Sequence, residues 1–134
     1  MATSHGKKTV ITVATKDISP FTKTSSYERS ADVHDVGGYG ADDKVKAGGQ
    51  RDAKFTCGGT YDNTASTGPR NALHANVGTT MAVIRKVEGT GTGLPQDAFS
   101  AVLTKYVETN PADDYVSWSA EFEISGAITT TTQA

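Results

Sequence analysis

Val116-Ser117-Trp118-Ser119-Ala120-Glu121-Phe122-Glu123-Ile124-Ser125 alternates without a break. Val116, Trp118, Ala120, Phe122 and Ile124 share one face, and Ser117, Ser119, Glu121, Glu123 and Ser125 share the other. A period of two is the signature of a strand with one face buried and one face wet. Such a strand needs neighbours, and the rest of the chain supplies them. Thr9 to Ala14, TVITVA, is β-branched strand material ended by Ser19-Pro20, and Phe21 to Glu28 alternates aromatic and polar residues. From Arg51 the period of two returns, with Ala53, Phe55 and Cys57 on the apolar face. Thr79 to Glu88 carries Met81, Ala82, Val83 and Ile84 in succession, which predicts a strand covered on both faces.

Two segments resist a simple assignment. In Asp97 to Thr109, residues Phe99, Val102, Leu103, Tyr106 and Val107 have helical spacing. The turn signal Asn110-Pro111-Ala112-Asp113-Asp114 then leads into the alternating strand, and 98–109 is its natural hairpin partner. The other segment is 31–50, ADVHDVGGYGADDKVKAGGQ, with five glycines, four aspartates and few large apolar anchors. It predicts a long loop, and loops longer than about 12–15 residues are uncommon in a compact domain unless functional or disordered. One short helix is expected, opened by Pro69, continued by Asn71 to Ala75 and ended by Gly78, after turn chemistry at 61–70. The Gly89-Thr90-Gly91-Thr92-Gly93 run is a flexible connection, and the polar, threonine-rich end from Ile128 to Ala134 is expected to be a flexible tail over about 129–134. The elements imply a mainly β domain: an antiparallel sandwich or flattened barrel with one short flanking helix.

Bulk properties exclude several function classes. The 134 residues are the length of one domain, and 36% hydrophobic residues is lean against the roughly 45–50% usual for globular chains. A lean core suits a subunit that completes its burial by assembling. The formal net charge of -2 argues against a domain that grips phosphates by charge. Lys7-Lys8 and Arg85-Lys86, the densest basic pairs, read as solvated surface. Cys57 is the only cysteine, so there is no intrachain disulfide framework, and its place on an apolar face makes it a small core residue. No apolar run approaches the roughly 20 residues of a membrane span, and the first residues lack a signal-peptide segment. A soluble protein made in a reducing cytoplasm is expected, without membrane association.

Catalytic and metal-binding signatures are missing. His5, His34 and His74 lie far apart, with no HxH or HExxH spacing. Asp42-Asp43 lacks the oxygen pattern of an EF-hand loop, and no Gly-Lys-Ser/Thr follows the glycine run to make a phosphate loop. No nucleophile elbow is present. Neither an enzyme nor a cofactor site is expected.

Two stretches carry a likeness to a known family. Ala31-Asp32-Val33-His34-Asp35-Val36-Gly37-Gly38-Tyr39-Gly40 is followed by Lys44, Lys46 and then Gly49-Gln50-Arg51-Asp52-Ala53-Lys54-Phe55-Thr56-Cys57-Gly58-Gly59-Thr60-Tyr61-Asp62. This resembles the tail tube proteins of long noncontractile-tailed phages, in which an Asp-Val-Thr-x-x-Gly-like loop precedes a Gly-x-x-Asp-x-x-Phe-x-x-x-Gly-x-Tyr/Phe-Asp strand. Position 34 is His where Thr or Ser is common. The second stretch, Trp118 to Thr129, is similar to the family's closing strand, which ends at Val/Ile-x-Gly-x-hydrophobic-Thr. Order and spacing match over nearly the whole chain.

The resemblance implies one tail tube domain over 1–134 that forms stacked, hexameric rings and works as a conduit for DNA. It implies inner sheets joined into a barrel around a lumen, and a long loop that reaches the adjacent ring. Candidate stacking residues are then Asp32, His34, Asp35, Val36, Tyr39, Asp42, Asp43, Lys44 and Lys46. Candidate lumen residues are Glu121, Glu123 and Glu108, and candidate core residues are Phe55, Cys57, Trp118, Phe122 and Ile124. Implied partners are further copies of the chain and other tail proteins such as the tape measure and tail terminator. Double-stranded DNA would pass through without specific binding, in a virion tail assembled in the host cytoplasm. Related tube folds occur in contractile tails and injection machines. The rivals are a single-ring connector or terminator and a ligand-binding β-sandwich module, which would need an exposed aromatic platform such as Trp118.

Overall fold

A computed structural model describes residues 5–40, 42–62 and 68–134. Residues 63–67 of the expected turn lie outside them. The strands are β1 (Val10–Val13), β2 (Lys16–Asp17), β3 (Thr24–Asp35), β4 (Lys46–Thr60), β5 (Thr80–Lys86), β6 (Pro95–Thr109) and β7 (Ser117–Thr132), with the helix α1 (Pro69–Leu73) between β4 and β5. They form one antiparallel sheet in the order β2-β1-β5-β6-β7-β4-β3. The mainly β, antiparallel reading of the sequence is borne out.

The sheet curls over its own apolar face. In a flat sheet β3 and β5 would stand four strand spacings apart, about 19 Å. Instead the Tyr27 ring of β3 stacks on Phe99 of β6 with centroids 5.9 Å apart, and the Arg85 guanidinium of β5 lies 4.9 Å from the Tyr27 centroid. Phe55, Phe99 and Phe122 meet edge-on and tilted inside the fold, with Ile11, Val13, Val83 and Leu103 around them. Phe55, Cys57, Trp118, Phe122 and Ile124 are all buried, as their alternation requires. Burial pushes the Cys57 thiol up to about 12, so it is held as an inert thiol.

Segment 95–109 is a strand, and its helical spacing has a physical cause. Phe99, Ala101 and Leu103 point into the core, but a register shift between Leu103 and Lys105 changes the phase. Tyr106, paired with Ala120, then faces inward in place of an odd-numbered residue. A β-bulge thus mimics a period near 3.6.

The helix starts at Pro69 and passes into a 3-10 turn at His74–Asn76, and Gly78 ends the segment with φ +89°. Pro69, Ala72 and Leu73 are buried, His74 meets Tyr106 edge-on, and Arg70 pairs with Glu108 at 2.6 Å. The helix therefore closes one end of the apolar face.

Three expectations change. The long loop of 31–50 is shorter: 31–35 and 46–50 are paired strand, leaving 36–45 as the connection. The alternation rule misses these strands because no core lies beneath them. The C-terminal tail is not free, since Thr129–Thr132 pair with Pro95–Ala98 and the Gln133 side chain donates to Gly89 O and accepts from Gly91 N. β5 is covered on one face only: Met81 and Val83 are buried, whereas Ala82 is exposed and Ile84 half-buried.

Gly59 leaves no room for a side chain. A Cβ there would collide with Phe21 O and lie 2.9 Å from Lys23 N, both backbone atoms. At Gly38 a Cβ would meet nothing within 4 Å. Gly59→Ala is expected to destabilise the fold by about 1–3 kcal/mol, while Gly38→Ala should stay within about 0.5 kcal/mol, as measured by urea unfolding.

Candidate functional site

The residues that sequence analysis singles out for stacking are brought together in one projecting arm. β4 pairs with β7 only as far as Lys54; beyond it, β3 and β4 pair with each other alone up to Asp35 and Lys46. This ribbon of about six residue pairs extends roughly 20 Å. Asp32 sits at its bulge, His34 is opposite Ala47, and Asp35 is opposite Lys46. The Asp35 carboxylate accepts from Gly37 N at 3.0 Å and Val36 N donates to Val45 O, which shapes the connection carrying Tyr39, Asp42, Asp43 and Lys44. Every described residue of the arm from 28 to 52 is exposed. Val33, Val36, Tyr39 and Val45 are each more than half exposed and make up most of the large exposed hydrophobic residues among the described residues. A two-stranded ribbon with no core beneath it gains little stability from burial, and an exposed apolar group of this kind is the type of surface that marks an interaction site.

The outer face of the sheet carries Glu121 and Glu123, both exposed. Glu123 lies 3.9 Å from Lys54, and Glu121 is opposite Lys105 in register. The face is thus a mixed-charge surface among serines and threonines, not a purely acidic one. Such exposed cross-strand pairs contribute about 0–1 kcal/mol. Glu108 departs from the expectation. It is opposite Trp118 in register, which puts it on the apolar face with its carboxylate on Arg70. The bulge at Leu103/Lys105 is the reason, since it inverts which residues of β6 point outward. Burial, then the Glu108 charge, raises the Tyr106 phenol pKa beside this pair.

Trp118 is no ligand platform. It is 2% exposed, its Nε1 donates to Phe21 O at 3.2 Å, and its ring stacks on Tyr106. Among the described residues no group of three His, Cys, Asp or Glu is placed to hold a metal ion, and no helix is long and apolar enough to cross a membrane.

One feature was not legible in sequence. Lys7 and Lys8, read there as solvated surface, share a cleft with His5, Lys23 and Arg85, and Ser19, Thr22, Thr24 and Ser25 supply hydroxyls. No Asp or Glu lines it. The basic residues come from the segment before β1, the connection before β3, and β5, too far apart along the chain to register as a cluster.

No protein-family model matches the chain, and no curated protein does. Solved structures do. A chain from the tail of an empty gene transfer agent particle, refined helically with C6 symmetry, is 15% identical with a TM-score of 0.75, covering 97% of this chain and 100% of that one. A chain of the SPP1 tail tube is 8% identical with a TM-score of 0.78, over 98% and 80%. A chain from the sheath–tube complex of an extracellular contractile injection system in its extended state is 14% identical with a TM-score of 0.73, over 98% and 93%. Over nearly its whole length, the chain has the fold of tail and tube subunits.

Proposed function

We propose that this protein is the tail tube subunit of a noncontractile-tailed phage, a structural protein without catalytic activity that stacks as hexameric rings around a DNA conduit. The observation that carries the reading is the arm: a long ribbon with four exposed large hydrophobic residues, on a fold shared with solved tail and tube chains. A projecting arm that docks on a different surface of the next copy is a heterologous contact, and such contacts build open stacks where the rotation does not close into a ring. Val10, Ala82, Ile84, Ala98 and Val102 leave small apolar surface on the outer side of β1, β5 and β6, which neighbouring subunits would cover. Other copies are the principal partners, with tape measure and terminator proteins at the ends. Assembly takes place in the host cytoplasm and the product resides in the virion tail. An injection-system tube is the second reading, favoured by the likeness to the contractile injection chain. Sedimentation of the concentrated protein tests the proposal. Long polymers are expected; a discrete ring species would favour a terminator or connector, and a persistent monomer would contradict assembly.

The face of Glu121 and Glu123 is proposed to line the lumen. A Glu121→Lys, Glu123→Lys variant would then place two new positive charges per subunit beside the DNA. Tubes should still form, and DNA ejection should slow several-fold and become steeply salt-dependent, because phosphate contacts release counterions. Ejection at the normal rate in low salt, followed by dye release from virions, would remove these residues from the lumen.

A further inference from the structure

We propose that the basic cleft at the seam of the curled sheet receives the acidic arm tip, Asp42 and Asp43, of a second copy of the chain. The inference rests on the tube reading and adds the acceptor that it lacks.

The cleft's composition is one-sided. Lys7, Lys8, Lys23 and Arg85 line it with His5, and no carboxylate does, in a chain whose formal net charge is -2. One cation there is already fixed. Arg85 Nη1 contacts the Asp97 carboxylate at 3.3 Å. Lys7, Lys8 and Lys23 are exposed and form no ion pair with another described residue. Clustered like charges repel, so the site favours an anionic ligand. Its volume of about 970 Å³ admits several side chains, not just a single ion.

The occupant must be acidic and must protrude to enter a concave site. The arm tip meets both needs, because Asp42 and Asp43 are adjacent, exposed and carried at the end of the ribbon. Asp35, lower on the arm, is opposite Lys46 and already accepts from Gly37 N, so it is less available. Glu121 and Glu123 lie on the flat outer face beside Lys105 and Lys54. The arm and the cleft are different surfaces, so each copy can offer its tip to one neighbour and its cleft to another.

Charge exchange tests the pairing. Wild type, Lys7→Glu/Lys8→Glu, Asp42→Lys/Asp43→Lys and the quadruple variant would be compared for the concentration at which polymer first sediments, with circular dichroism to confirm that each is folded. Each double variant should raise that concentration by at least about tenfold, and the quadruple should restore it to near wild type, since coupled charges are non-additive. Double variants that assemble like wild type would overturn the pairing and leave the tube reading standing. So would a folded quadruple variant that stays unassembled. Short duplex DNA bound by wild type but not by Lys7→Glu/Lys8→Glu, with assembly unchanged, would assign the cleft to phosphate instead. A wild type that never assembles would overturn both readings.

Discussion

Trp118→Ala is expected to yield protein that is unfolded or insoluble at 37 °C. The indole is buried in the strand whose alternation organises the sheet, stacks on Tyr106, and holds the connection before β3 through its bond to Phe21 O. Removing a buried Trp costs about 3–5 kcal/mol, against a total domain stability of about 5–15 kcal/mol. The connection it anchors also packs on Gly59, so the change leaves a cavity and frees a backbone acceptor at the same seam. Chemical denaturation of whatever soluble fraction survives provides the measurement. A variant that folds with wild-type stability but loses binding to a small ligand would return Trp118 to the role of a binding platform.

Removing the arm connection should have the opposite signature: an intact subunit and no polymer. Deleting 36–45 joins Asp35 to Lys46, which are already opposite each other in register, so the hairpin can reclose around them. The core ends at Ala53, and no described residue from 28 to 52 contributes to it. Stability should change by less than about 1 kcal/mol, within the range of surface changes away from special features. Polymerisation should be abolished at concentrations where wild type assembles fully, as read by sedimentation. Normal polymer growth from the deletion variant would mean that the arm does not mediate stacking.

Much of the fold was legible because burial writes a period of two into the chain. Trp118, Phe122 and Ile124, and Phe55 with Cys57, were placed in the core from alternation alone, and all are buried. Pro69 and Gly78 marked the helical segment because both act through backbone geometry. Where burial is absent the signal disappears. The arm strands 31–35 and 46–50 pair through the backbone with no core beneath, so their side chains carry no alternation. The bulge in β6 was equally hidden, and it moved Glu108 from the outer face to the inner one. The basic cleft could not be read at all, since Lys8, Lys23 and Arg85 meet only when the sheet curls.

A tube subunit should assemble on its own, and imaging shows directly whether this chain does. Purified protein, concentrated and examined by cryo-electron microscopy, should show hollow tubes of uniform diameter built from a repeating ring, with the 36–45 connection at the contact between successive rings. Monomers, solid fibrils, or single rings that never stack under the same conditions would show that it is not a tube subunit.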